Sequence, residues 1–268
     1  MHRVHQHACL TMCTGMLLAC GGGNGTSKPD ASVGTERRLV IFHTNDEHSH
    51  LFGFGPEIDD FPTKTTAGTG AIKGSVLRRA TVLAKERAAA KAAGIDTVTV
   101  SAGDETQGAF PQVSFETTAP DFTIMKALEY DVMCPGNHEF DLGPAAFARA
   151  IKAARDKGGM PQIVSTNMHF DAESPLDDDL AALTGEGTSN LPIKRYHVLT
   201  TKSGIKIGFI GIMGEEASRY APLKTPVRFS GNPQDEGDKS KILPALYEDI
   251  RPSIEALRSV EKVDLVVA

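Results

Sequence analysis

The stretch RLVIFHTND, residues 38–46, decides how the rest of the chain is read. Its first half is apolar and partly β-branched. Its second half is polar, so it reads as a buried strand ending in a chemically equipped turn. Two later stretches are built the same way. TVTVSAGD (97–104) closes on Gly103-Asp104, and VMCPGN (132–137) runs on into His138-Glu139-Phe140-Asp141.

Helical patterns separate these strands. GSVLRRATVLAKERAAAKAAG (74–94) places Val76, Leu77, Ala80, Leu83 and Ala84 on one predicted face and stops at Gly94. APDFTIMKALEYD (119–131) and GPAAFARAIKAARDKGG (143–159) read as two more helices, the latter with Pro144 in its first turn. QIVSTNM (162–168) is a further strand. Residues 171–192 and 214–239 read as loops, the second on the surface. YHVLTTKSGIKIGFIGIM (196–213) reads as a hairpin turning at Ser203-Gly204. KILPALYEDIRPSIEALRSVE (241–261) is a helix with an expected bend at Pro252, and VDLVVA (263–268) a last buried strand. Strands alternating with helices predict an α/β fold: a βαβ-type sheet with helices on both faces and ligands gathered beyond the strands' carboxyl ends.

Composition narrows the classes. The chain has 268 residues, 40% of them hydrophobic, enough for one large α/β core. A net charge of −6 and no basic stripe argue against a nucleic-acid polymer as partner, and the absence of Trp argues against a stacking platform. No apolar run reaches the roughly 18 residues of a membrane-spanning helix. Three of the four cysteines, Cys9, Cys13 and Cys20, fall in the first twenty residues; Cys134 reads as a buried, unpaired thiol. MHRVHQHACLTMCTGMLLACGGG (1–23) has Arg3 near its start, a short apolar run and Leu17-Leu18-Ala19-Cys20. It reads as a secretory leader over 1–19. Its end resembles a bacterial lipoprotein lipobox, which implies lipidation at Cys20, with an ordinary signal peptide or a disordered tail as the alternatives. Residues 20–37 then form a flexible tether, and 38–268 the folded domain. The protein is accordingly expected outside the cytoplasm, facing the periplasm or cell exterior, held to the membrane by the lipid anchor alone.

If the first three strands are parallel neighbours, their ends bring Asp46, His48, Asp104, Asn137 and His138 together. Carboxylates, imidazoles and an amide oxygen suit divalent transition ions. Asp46 and His48, two apart, would share one face of a strand, and Asp104 has two oxygens with which to bridge. Gly103 and Gly136 would clear room for backbone to approach an anion or ion. Taken singly, each block is equally an ordinary turn; the three in order carry the reading.

HTNDEH, SAGDETQG and GNHEFDLG resemble the ordered blocks of the calcineurin-like metallophosphoesterases, and more closely the bacterial 5′-nucleotidase / UDP-sugar hydrolase / 2′,3′-cyclic phosphodiesterase family. IVSTNM and GIKIGFIGIM resemble the blocks that follow. The resemblance implies a layered α/β-β-α sandwich, incomplete at its C-terminal end. It implies two divalent ions (Zn, Mn, Fe or Co): Asp46 and His48 on the first, Asp104 bridging, Asn137 on the second. His138 would contact the phosphoryl group, oriented by Asp141. The implied activity is hydrolysis of a phosphate ester, most naturally a nucleotide.

Other polar residues receive lesser roles. His43 reads as a core or supporting residue, His50 as lining the cleft mouth, His169 and His197 as surface residues. Glu47 and Glu139 read as solvated or supporting, and Asn167 as able to approach the site. The family carries a further strand-end histidine block and a Gly-His-x-His block, neither of which occurs in this chain. The expectation is therefore a portion of a longer hydrolase, with a C-terminal segment completing the site. A lipid-anchored binding or scaffold protein without turnover is the alternative.

Overall fold

Three parallel strands stand side by side at one end of the main sheet, as the strand-end pattern requires. The computed structural model describes residues 36–53, 73–232 and 238–268. The expected leader (1–19), Cys20 and the tether as far as residue 35 lie outside the described residues. Strands β1 (Leu39–Thr44), β2 (Asp96–Ser101), β3 (Val132–Met133) and β4 (Gln162–Val164) are followed by β5 (Met168–His169), β6 (Thr184–Gly185), β7 (Ile193–Lys194), β8 (Tyr196–Thr200), β9 (Lys206–Ile210), β10 (Arg228–Phe229) and β11 (Leu265–Val267). The helices are α1 (Val76–Ala92), α2 (Phe115–Thr118), α3 (Pro120–Ala127), α4 (Pro144–Asp156), α5 (Asp178–Ala181), α6 (Glu215–Arg219) and α7 (Ile242–Glu255).

The main sheet has the order β1-β2-β3-β4-β7-β6, every pair parallel. A second sheet, β11-β9-β8, pairs β8 with β9 antiparallel around the predicted Ser203-Gly204 turn and β9 with β11 parallel. Gly204 has φ 85°, a left-handed position that suits glycine. The short pair β10-β5 is antiparallel.

Strand periodicity sorts the core into layers. Met133 and Ile163 face one side of the main sheet and pack with Phe122, Met125, Phe147 and Ile151 from α3 and α4. Val98, Val132 and Val164 face the other side and meet Ile205, Ile207 and Phe209 of the second sheet. The outer face of that sheet carries Tyr196 and Ile210 against Leu257, beyond the end of α7. A Cβ on Gly208 would lie 2.7 Å from a Leu257 methyl, so the glycine makes room for that side chain. The order is helix, sheet, sheet, helix. The expectation of helices on both faces of one sheet fails here: the apolar β8–β9 hairpin covers the second face, and α7 covers the hairpin.

Several local expectations change for the same reason, burial against a partner. On α1, Leu77 and Ala84 are exposed, while Arg79 and Arg87 join Ala80, Leu83 and Ala90 on the packed side. Arg87 is held there by the Leu128 and Glu129 carbonyls and Thr99 Oγ1, at 2.8, 2.9 and 2.6 Å. The segment 171–192 contains α5 and β6, with Leu180 fully buried. The segment 214–239 is not a simple surface loop: α6, a turn at Pro222–Lys224 and β10 fall within it, and Val227 and Phe229 are buried. Pro252 lies inside α7, and the helix widens into one π turn over Ala256–Val260.

A polar knot ties α7 to the strands. Asp249 accepts from His169 Nε2 at 2.8 Å, Ser230 Oγ at 2.6 Å and Arg195 Nη2 at 2.6 Å. His169, a strand-surface residue as expected, also bridges β5 to α7. His197 on β8 is partly buried, and burial followed by the nearby Lys194 charge pushes its pKa down to about 4. Burial works against the Asp249 carboxylate, but its three hydrogen bonds outweigh that and hold it at about 2.

Two outcomes are expected. Leu257→Ala should cost about 2–5 kcal/mol in a urea unfolding titration, because it empties a fully buried site over the second sheet. Asp249→Asn should destabilise the chain at neutral pH. A carboxylate with a depressed folded pKa stabilises above its unfolded pKa of about 4 and loses that contribution as pH falls toward 2. The gap between wild type and Asp249→Asn should therefore narrow below about pH 4, measured by thermal unfolding across pH.

Candidate metal centre

The carboxyl ends of β1, β2 and β3 open into three loops at one edge of the main sheet. The loop after β1 runs beside the loop after β2: Asp46, His48 and Ser49 donate their N–H groups to the carbonyls of Gly103, Asp104 and Glu105, at 3.0, 3.1 and 2.8 Å. Asp46, His48, Ser49 and Asp104 have φ of 55°, 48°, 54° and 54°. Asp46 and His48 therefore do not lie on a strand, as their spacing suggested, because β1 ends at Thr44. A left-handed turn brings them together instead, with His48 Nε2 3.7 Å from Asp46 Oδ1 and 3.9 Å from Asp104 Oδ2.

Gly103 and Gly136 are required where the second and third loops cross. A Cβ on Gly103 would stand 2.2 Å from Gly136 N and 2.6 Å from the Cys134 carbonyl oxygen; one on Gly136 would stand 2.2 Å from Asp104 Oδ1. The glycines thus clear space for one loop against the other, and Gly136 also clears space for the Asp104 carboxylate.

Glu139 binds the crossing. Fully buried, it accepts from the N–H groups of Asp104 at 3.1 Å, Glu105 at 2.9 Å and Gly136 at 2.6 Å. Burial and the neighbouring Asp104 charge push its pKa up to about 7 against those donors. Glu105 is equally buried, pushed up to about 8 by burial, and accepts from Ser101 Oγ. The sequence reading placed Glu139 as solvated or supporting; it is the support, and nothing about it is solvated. Its only signal in the sequence is a place between His138 and Phe140, where Phe140 is buried and the turn must tuck inward.

His138 Nδ1 lies 2.9 Å from Asp141 Oδ2, and its backbone N–H donates to Asp104 Oδ1 at 3.0 Å. The rings of His48 and His138 meet edge to face, centroids 4.9 Å apart. His48, Asp104 and His138 each offer a ligand atom, all within 4.8 Å of one another, and this is the group that could hold a metal ion among the described residues. Asp46 stands beside it, and Asn137, buried, precedes His138 on the same turn. The donor set fits a divalent ion. His48 Nε2 is buried without a hydrogen-bond partner although two carboxylates stand within 4 Å, as a ligand nitrogen held ready for a cation would be.

Other polar residues that the sequence singles out lie apart from this group, and Cys134 is the unpaired thiol expected. His43 is exposed on edge strand β1, not in the core. Asn167 is fully buried and clamps other backbone: its amide donates to the Met213 and Ser230 carbonyls and accepts from Met213 N–H. Cys134 is unpaired, with its thiol pushed up to about 12 by burial. His50 stays near the loop, its pKa lowered by burial and by His48. Gly103→Ala should cost about 3 kcal/mol or more in chemical denaturation, since the methyl meets backbone atoms and φ is 94°.

No family model matches the chain. It is 26% identical over 230 residues to Protein UshA of Yersinia enterocolitica, covering 86% of this chain and 33% of that protein. The structure of a 5′-nucleotidase precursor from Thermus thermophilus superposes with a TM-score of 0.55 at 25% identity, over 84% of this chain and 35% of that one. The calcineurin-like phosphoesterase YfkN from Bacillus subtilis shares the fold, with a TM-score of 0.51 at 20% identity, over 84% of this chain and 59% of that one. The chain thus spans about a third of the length of the curated relatives it matches. In sequence and in its layered α/β fold, it is similar to the N-terminal third of UshA-type 5′-nucleotidases and to calcineurin-like phosphoesterases.

Proposed function

We propose that this chain is the metal-binding part of a phosphoric ester hydrolase acting on nucleotides. The observation that carries the reading is the convergence of His48, Asp104 and His138 around an unsatisfied imidazole nitrogen. Its similarity to proteins known as 5′-nucleotidases supports the substrate class. In this reading Asp46, His48, Asp104 and Asn137 hold two divalent ions, with Asp104 shared. When bound there, such ions would supply Lewis acidity toward a phosphoryl oxygen and bring the pKa of a bound water down toward neutrality. The residues of the chain do the rest. Asp141 holds His138 by Nδ1, which fixes the tautomer and leaves Nε2 to address the phosphoryl oxygens or give a proton to the leaving oxygen. Glu139 keeps the Asp104 and Gly136 backbones in register so that the ligand carboxylate does not drift.

The proposal extends to the remainder of the protein. A segment beyond the matched third of the relatives would complete the ligand set and hold the nucleoside, and lipidation at Cys20 would place the enzyme outside the cytoplasm. Among the described residues no helix is long and apolar enough to cross a membrane.

Titration with Mn²⁺ by calorimetry, together with nucleotide-hydrolysis assays on the full-length protein, tests the reading. The chain should bind Mn²⁺, and Asp104→Ala should abolish that binding. His138→Ala should keep Mn²⁺ affinity within a few-fold and lower turnover by about 10²–10⁴-fold. Unchanged turnover in a metal-replete His138→Ala variant would remove that residue from the chemistry, and Mn²⁺ binding that survives Asp104→Ala would remove the metal centre.

A further inference from the structure

The loop that carries Asp46 and His48 is gripped from two sides. Three backbone hydrogen bonds fasten it to the loop after β2. On its other side Glu47, the residue between the two ligands, reaches Arg79 on α1, with Oε1 and Nη1 2.5 Å apart and both side chains largely buried. The Arg79 guanidinium carbon lies 5.7 Å from the centre of the Tyr130 ring. Tyr130 in turn shares a hydrogen bond of 3.0 Å with Thr44 Oγ1, the last residue of β1. Thr44 and Glu47 bracket Asn45-Asp46, so one guanidinium and the ring beneath it hold both ends of the turn. The turn needs holding, because Asp46, His48 and Ser49 all sit at positive φ, a region non-glycine residues resist.

Arg79 is a poor choice for stability alone. Its Nε and Nη1 are both buried without a hydrogen-bond acceptor, Nη1 meeting Glu47 as an ion pair alone, and a buried guanidinium with unmet donors is costly. Nor is it needed to dock α1, which is already seated by buried Leu83 and Ala90 and by the Arg87 bonds to Leu128, Glu129 and Thr99. What it does that a methionine of similar volume would not is fix the charge of Glu47.

We propose that Arg79 is a positioning residue for the metal-ligating turn: acting through Glu47, it holds Asp46 and His48 on the side they share with Asp104. This rests on the metal-site reading above, and the experiment separates the two.

Mn²⁺ affinity is measured by calorimetry, and unfolding of the metal-free chain by circular dichroism, for wild type, Arg79→Met, Arg79→Lys, Glu47→Gln, Asp104→Ala and the Arg79→Met/Glu47→Gln double variant. Arg79→Met and Glu47→Gln should each weaken Mn²⁺ binding by about 10–100-fold. The double variant should be no weaker than either, the non-additivity of a shared path. Arg79→Lys should recover most of the affinity, and the double variant should unfold within a few degrees of wild type. If Arg79→Met fails to fold, Glu47→Gln and Arg79→Lys carry the same comparison. Wild-type affinity in Arg79→Met or Glu47→Gln, with binding abolished in Asp104→Ala, overturns the positioning role alone. Absence of Mn²⁺ binding by wild type overturns the metal-site reading and this proposal with it.

Discussion

A single buried carboxylate, Glu139, accepts N–H groups from the loop after β2 and the loop after β3, and the candidate site is assembled around that contact. The loops can cross only because Gly103 and Gly136 lack side chains at the crossing. Once they cross, Asp104 points past Gly136 and takes the His138 N–H. The loop after β1 is then fastened to the loop after β2 by three further hydrogen bonds. Each candidate position thus follows from backbone contacts between loops on neighbouring strands.

The layering explains why the site is where it is. One face of the main sheet is covered by helices and the other by the second sheet, so neither face is open to a ligand. The carboxyl edge of β1, β2 and β3 is left, and parallel pairing puts all three chain ends on that edge. Asp249 ties α7 to His169 of β5, to Arg195 just after β7 and to Ser230 just after β10.

Carboxyl groups outnumber cations around the candidate site. Asp46, Asp104, Glu105 and Glu139 crowd a small volume, and burial raises the pKa of the two glutamates. Arg79, with a raised pKa from Glu47 and Tyr130 despite its burial, is a buried cation behind that cluster. A divalent ion beside Asp46, His48 and Asp104 would offset the negative charge that the fold has gathered there, as functional sites do.

The sequence by itself determined the first three strands and the polar turns that close them, because a buried parallel strand must be apolar and a polar turn at its end is then conspicuous. It also pointed to Asp46, His48, Asp104, Asn137 and His138, since these residue types recur at three strand ends in order; their roles came with the family resemblance. It could not show that Glu139 is an internal clamp, because a glutamate in a polar stretch looks solvated until the two loops it joins are in place. It misjudged α1 for the same reason: Leu77 fits an apolar face by spacing, yet Arg79 and Arg87 take the packed side because their partners, Glu47, Thr99 and Glu129, come from elsewhere in the chain. Local period and residue type are properties of a segment and are legible in it. Which face is covered, which carboxylate is buried and which turn runs left-handed depend on contacts between segments distant in sequence, and only the tertiary structure decided those.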